Sequence, residues 1–274
     1  MVRVLGRLIG FVFGSVVRHH RTDAFEALER SLPKLSPKEC KRTVNAMYRG
    51  LGVGIAEVMW YSMRGLATVA KNVEVEGSEN LEQALERGRG AITLTGHIGN
   101  YELIPMSAAA DGHKLSVVVK TIKNQALNEV VVKLRTHDGL TFLSTRNSYR
   151  ECLKTLRRNE VLGMVIDQNM SRSEGVFVDF FGKSACTSPG LAVMAAQSKA
   201  PVVPVFISRK ADGGHLLKMY PAIEPPTDRS PETILAATQQ YTKVLEDVIR
   251  ERPEAWTWIH RRWKTRAPED EKTR

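Results

Sequence analysis

The chain has 274 residues, 42% hydrophobic and 26% charged, with 20 Gly and 12 Pro. That length and balance suit one large folded domain or two small ones, and they exclude a short disulfide-stapled scaffold, a collagen-like repeat and a disordered chain. A formal charge of +10, from 40 Lys+Arg against 30 Asp+Glu, favours anionic partners such as lipid surfaces, nucleic acid or acidic proteins without choosing among them. Cys40, Cys152 and Cys186 form no CxxC pair and leave an odd number, so buried thiols in a reducing compartment are expected rather than disulfides or a zinc site.

No apolar run reaches the roughly 18 residues that a spanning helix needs. Residues 8–17, LIGFVFGSVV, form a shorter uncharged run flanked by Arg3 and Arg7 before it and by Arg18, His19, His20 and Arg21 after it. Basic flanks on a short apolar segment suit a helix dipping into the headgroup layer of an anionic membrane, with a packed core helix as the alternative. No small-residue cleavage site follows, which argues against a signal peptide.

Next, Ser36-Pro37-Lys38-Glu39 is a capping box with Pro at the first helical position, opening a largely apolar helix to about residue 63. Beyond it, helical and strand patterns alternate. Helices are expected near residues 78–87, 124–137, 148–158, 191–198 and 230–252; strands are expected near 91–95, 115–119, 141–144, 162–166, 202–207 and 216–220. Such alternation predicts an α/β fold: a mostly parallel sheet flanked by helices, preceded by an N-terminal membrane-associating helical region. The expected divisions are residues 1–70 for that region, 71–266 for the α/β domain and 267–274 for a polar tail.

The chemistry concentrates at Thr95-Gly96-His97-Ile98-Gly99-Asn100-Tyr101-Glu102, where a strand ends and a helix begins, the place where α/β sheets hold ligands. Gly96 and Gly99 allow a sharp turn that could fold the His97 imidazole onto the Glu102 carboxylate. A carboxylate on one ring nitrogen would leave the other as a general base. The same residues also fit a structural helix start, with Asn100 as cap, Glu102 complementing the dipole and His97 an ordinary strand-end residue.

GHIGNYE resembles the His-x4-Asp/Glu motif of the glycerolipid acyltransferases, most of all the bacterial lipid A lauroyl/myristoyl acyltransferases. Asp167-Gln168-Asn169, GVFVDFFG at 175–182 and Ala185-Cys186-Thr187 are similar to a further family segment, Pro201-Val-Val-Pro204 to its PxxP element, and Trp258-Ile-His260-Arg-Arg-Trp-Lys264 to its C-terminal pattern. The resemblance implies direct acyl transfer: His97 deprotonates an acceptor hydroxyl, which attacks an acyl thioester, and Glu102 orients His97. It further implies Asn100, Lys120, Arg135, Asp167, Gln168, Phe181, Gly182 and Thr187 as substrate-binding residues. Residues 176–181 are either an acyl-chain groove or a core strand. The cluster His260, Arg261, Arg262, Lys264 and Arg266, interleaved with Trp256, Trp258 and Trp263, suits a phosphate-rich interface or a solvated basic end.

Two departures stand out. Family members begin with a longer apolar span, and Lys120 stands where they show Arg. Gly182-Lys183-Ser184 lacks the first glycine of a P-loop, position 177 being Phe177, and no HExxH, GxSxG or GxGxxG occurs in suitable context. The expected protein is therefore an acyltransferase with no cofactor or metal, at the cytoplasmic face of a bacterial inner membrane. Its partners are expected to be acyl carrier protein or acyl-CoA as donor, a lipid acceptor and the anionic membrane surface, with no nucleic acid. The acceptor is expected to be a lipid A precursor, with a lysophospholipid, glycolipid or aminolipid as alternatives. A non-catalytic basic binding module is the rival from another class.

Overall fold

The structure is a computed structural model, and it describes residues 2–18, 20–120, 124–145 and 148–268. His19 and residues 269–274 of the expected tail lie outside this set. In chain order the helices are α1 (Val2–Phe11), α2 (Arg21–Ser31), α3 (Pro37–Arg64), α4 (Leu66–Asn72), α5 (Ser78–Glu86), α6 (Leu103–Ala110), α7 (Gln125–Arg135), α8 (Tyr149–Arg157), α9 (Gly190–Ser198) and α10 (Pro231–Glu251). The strands are β1 (Val73–Glu76), β2 (Ala91–Thr95), β3 (Leu115–Val119), β4 (Leu140–Ser144), β5 (Val161–Val165), β6 (Val176–Asp179), β7 (Ser184–Thr187), β8 (Val202–Arg209) and β9 (His215–Met219).

Seven strands form one sheet in the order β1-β9-β8-β2-β5-β3-β4. Neighbours from β8 through β4 pair parallel, as the alternating pattern predicts, whereas β9 runs antiparallel to β8 and carries β1 beside it. The edge strand β1, Val-Glu-Val-Glu, is too short and too charged to stand out in the sequence. A separate antiparallel hairpin, β6-β7, fills the stretch 176–187.

Strand alternation divides the apolar layers on β2. Ile92 and Leu94 face a core built with α9, α10 and residues Val44, Met47 and Tyr48 of α3, while Ala91 faces a second core with α4, α5 and α6. The boundaries of α3 follow its sequence signals: the Ser36 side chain accepts from the Glu39 N–H, Glu39 returns the bond to the Ser36 N–H, and Gly65 ends the helix at positive φ. Cys40, Cys152 and Cys186 are free and buried.

At the N-terminus, Gly6, Gly10 and Gly14 recur every four residues and are buried against α3. The approach is backbone to backbone, since a Cβ on Gly10 would stand 2.3 Å from the Tyr48 carbonyl oxygen and one on Gly52 the same distance from the Gly10 nitrogen. Packing by small residues turns the large ones outward: Val4, Leu5, Leu8, Phe11, Phe13, Val16 and Val17 are exposed, with Arg3, Arg7 and Arg18 alongside. Ile55, Met59 and Met63 of α3 are exposed as well. Among the described residues, no helix is long and apolar enough to cross a membrane.

Candidate active site

Strands β2 and β5 pair in parallel with Thr95 opposite Val165, so the chain leaves both at the same edge and places His97 and Asp167, each two residues further on, side by side. His97 Nδ1 lies 2.7 Å from Asp167 Oδ1, and the His97 backbone N–H donates to Oδ2 at 2.8 Å. The indole N–H of Trp256 donates to the same Oδ2 at 2.8 Å. Asp167 is fully buried, so these three donors replace the water it gave up.

The turn that presents His97 is fixed from two directions. Gly99 adopts φ +61°, and a Cβ there would stand 2.1 Å from the Ile207 carbonyl oxygen, so only glycine fits. The C-terminal segment clasps the other side: Gly99 N–H donates to the Ala255 carbonyl, while the Thr257 N–H and hydroxyl both donate to the His97 carbonyl.

Glu102 is not the partner of His97. It stands at the N-terminal boundary of α6 without a side-chain capping bond and receives a two-pronged ion pair from Arg135, at the end of α7, with Nε donating at 2.8 Å and Nη2 closer still. A guanidinium fork matches both carboxylate oxygens at once, and that match draws Glu102 away from the imidazole. Asp167 takes the place expected of Glu102, and Glu102 acts on His97 through its charge.

Burial alone would lower the basicity of His97, but the charge and hydrogen bond of Asp167 outweigh it and hold the imidazole above its ordinary pKa. Asp167 in turn stays ionised well below the usual carboxylate range, its desolvation overcome by His97 and Trp256. The ring of Tyr101 stands edge-on to His97 with centroids 4.6 Å apart, and His260 does so at 4.8 Å. His260 is pushed below the ordinary histidine value by burial and then by His97.

His97 opens onto a cavity of about 740 Å³ under the sheet. Glu102, Lys120, Arg135 and Gln168 also line it, and the Gln168 amide lies 3.4 Å from His97 Nε2. Its inner wall is apolar. One register row, Thr93, Gly163, Val117 and Phe142, crosses β2, β5, β3 and β4 along it, and Ile104 and Pro105 of α6 face that row.

Four other expected residues lie elsewhere. Asn100 is buried and donates to Glu57 Oε2 at 3.1 Å, so it ties the turn that carries His97 to α3 and neither caps α6 nor meets the cavity. Thr187 is fully buried, with its hydroxyl donating to the Ala185 carbonyl and accepting from Arg262. Phe181 packs on Phe180 and Trp258, and Gly182 turns the β6-β7 hairpin at φ +73°. Within residues 176–181, Val178, Phe180 and Phe181 are buried, and none of the six lines the cavity. That Trp256 holds Asp167 is invisible to local sequence patterns, because the indole comes from 89 residues away.

Among the described residues, no cluster of three His, Cys, Asp or Glu side chains is placed to hold a metal ion. The profile of the family described as bacterial lipid A biosynthesis acyltransferase matches residues 1–265. The chain belongs to this family. Like its relatives, it is an acyltransferase that acts on a lipid acceptor, which removes the non-catalytic binding module as a reading.

The lipid A biosynthesis palmitoleoyltransferase of Escherichia coli (strain K12) is 28% identical over 96% of this chain and 84% of its own length. The lauroyltransferase of the same organism is 28% identical over 87% of this chain and 77% of its own. The phosphatidylinositol mannoside acyltransferase of Mycolicibacterium smegmatis is 24% identical over 92% and 84%, respectively. Among solved structures, the 1-acyl-sn-glycerophosphate acyltransferase of Thermotoga maritima matches with a TM-score of 0.40 and 18% identity, over 91% of this chain and 98% of that one.

Proposed function

We propose that this acyltransferase moves a fatty acyl chain from the thioester of acyl carrier protein, or of CoA, to a hydroxyl of a lipid A precursor, with His97 as general base and Asp167 as its orienting partner. The observation that carries this reading is the division of labour on one imidazole: Nδ1 is committed to a buried carboxylate, and Nε2 stands at the cavity beside Gln168. In the proposed step the acceptor O–H gives its proton to Nε2 as the oxygen attacks the thioester carbonyl. The tetrahedral oxyanion collapses by breaking the C–S bond, and the imidazolium returns the proton to the departing sulfur.

Asp167 stabilises the imidazolium at the moment it forms. Lys120 and Arg135, both on the cavity wall, supply positive charge for the oxyanion, and Glu102 fixes the position of Arg135. The apolar row around Gly163 receives the acyl chain, where each buried methylene contributes about 0.8 kcal/mol. A +10 chain suits an acidic carrier protein, and the relatives named for lipid A support the acceptor. A lysophospholipid, a glycolipid such as an inositol mannoside, or an aminolipid is the alternative acceptor.

Attachment to the cytoplasmic face of a bacterial inner membrane belongs to the same reading, as a peripheral or monotopic contact. The exposed apolar side chains of residues 4–17, with arginines at their margin, match a segment lying in the headgroup layer beside anionic lipid. Helix α3 links this surface to the site: its exposed Met59 and Met63 flank Ser62, whose hydroxyl holds the Leu134 carbonyl next to Arg135.

The test is acyl transfer from radiolabelled acyl carrier protein to extracted membrane lipids by wild type, His97→Ala and Asp167→Asn. Loss in both variants supports the dyad, and the labelled product names the acceptor. Full activity of Asp167→Asn would return the orienting role to another group.

A further inference from the structure

A second cavity, of about 190 Å³, is lined by residues of α2, by Lys183 and by residues 260–264. Its wall carries five cationic side chains and two carboxylates, but the carboxylates are already used: Glu26 pairs with Arg30 and Asp23 with Arg261. Lys183, Lys264 and Arg262 have no carboxylate within ion-pair distance among the described residues. Arg262 is the unusual one. It is 1% exposed, and among the described residues its guanidinium donates to the Cys186 carbonyl and the Thr187 hydroxyl, both neutral, while its Nε has no partner.

Two more buried nitrogens, Nε2 of His260 and Nε1 of Trp263, both lining residues, also lack a hydrogen-bond partner among the described residues. Arg262 feels the charge of Asp167 but makes no ion pair, so an anion in the recess would offset the cost of burying this cation. His260 lies between this recess and the base, its ring 4.8 Å from that of His97. An anion held here would sit one side chain from the reacting hydroxyl.

We infer that this recess is a binding subsite for the phosphate group of a phosphate ester, held by Lys183, Lys264 and Arg262. Phosphate fits because it accepts several hydrogen bonds at once from separate donors and carries charge matching the unpaired cations. Two substrates of an acyltransferase offer it, the headgroup of a phospholipid acceptor and the pantetheine arm of the donor. The subsite's role in turnover rests on the acyl-transfer reading, whereas binding itself does not.

Isothermal titration of the full-length protein tests it, with inorganic phosphate, with 4′-phosphopantetheine and with phosphatidic acid in phosphatidylcholine vesicles. The proteins compared are wild type, the Lys183→Ala/Lys264→Ala double variant and His97→Ala. Wild type should bind phosphate saturably and more weakly as salt rises, the double variant should bind it about tenfold or more weakly, and His97→Ala should bind as wild type does. A loss in the double variant confined to 4′-phosphopantetheine assigns the subsite to the donor, and a loss confined to phosphatidic acid assigns it to the lipid. Equal phosphate affinity in wild type and double variant, or binding of inorganic phosphate with neither ester, overturns the proposal. Binding as described in a protein that transfers no acyl group would sink the acyl-transfer reading and leave the subsite standing.

Discussion

Trp256 donates its indole N–H to the same Asp167 oxygen that accepts the His97 backbone N–H, so one buried carboxylate joins the two strand ends to the C-terminal segment. Trp256 itself is fully buried between Phe180, Trp258 and Trp263. The aromatic cluster therefore sets the height of Asp167, and Asp167 sets the tautomer of His97. Trp256→Phe keeps most of the packing and removes the bond. It should lower stability by about 1–3 kcal/mol, the cost of a buried acceptor losing a donor, and lower kcat more than it raises KM. Urea unfolding and steady-state acyl transfer check both; an unchanged kcat would separate the cluster from the chemistry.

The pH dependence follows from the His97–Asp167 pair. A general base works only when neutral, so transfer should rise with pH through a pKa above the ordinary histidine value of about 6.5. Asp167→Asn removes the charge that raises this pKa and leaves the burial that lowers it. Its acidic limb should shift to lower pH while its plateau falls by roughly 10²–10⁴. A limb that keeps its wild-type position would mean that another group titrates.

Acid stability should report Glu57, which is buried on α3 among Arg209, His215 and Asn100. Burial opposes its ionisation, yet His215 and Arg209 hold its pKa down to about 2. A depressed carboxylate contributes stability in full above its unfolded value of about 4.3, and the contribution drains away as pH falls toward 2. Glu57→Gln should cost about 1–3 kcal/mol at neutral pH, because it takes the carboxylate partner from the half-buried Arg209 guanidinium. Denaturation curves from pH 7 to 2 should show that cost shrinking through the acidic window; a constant difference would rule the linkage out.

Chain length should respond to Gly163. A Cβ there would meet Thr93 Oγ1, Leu115 Cδ1 and Val117 Cγ2 at 3.5 Å, ordinary contact distance, so a larger side chain extends into the cavity beside His97 without striking the backbone. Gly163→Leu should shift preference to acyl chains shorter by roughly two to four methylenes, each worth about 0.8 kcal/mol. Competition between labelled donors of different length reads this directly, and an unchanged preference would place the acyl chain elsewhere.

Membrane contact should depend on the outward face of the N-terminal segment. Phe11→Asp/Phe13→Asp alters two exposed rings while leaving Gly6, Gly10 and Gly14 packed on α3. Sedimentation with anionic vesicles should show binding reduced about tenfold or more at unchanged circular dichroism. Undiminished sedimentation would assign the contact to another surface.

Much of this architecture was legible in the sequence because it is written locally. The Ser36–Glu39 capping box, the strand-length apolar runs and the glycine turn at 96–99 each need only neighbouring residues. What was not legible depends on strand pairing. Asp167 reaches His97 across 70 residues because β2 and β5 are adjacent and in register, and no local pattern reports that adjacency. The glycine turn and the family resemblance point to a His97–Glu102 pair, but the Glu102 carboxylate is taken by a guanidinium from α7. Phe181 and Thr187 misled for a related reason: a motif that matters to the fold reads the same as one that touches substrate.

The most direct test of the central claim is single-turnover transfer from radiolabelled acyl carrier protein to extracted lipids, comparing wild type with His97→Ala in matched folded preparations. The account predicts one labelled lipid product from wild type and a loss of at least about 10³-fold in rate for His97→Ala, with no labelled protein intermediate. Transfer by His97→Ala at the wild-type rate, or label retained covalently on the enzyme, would contradict it.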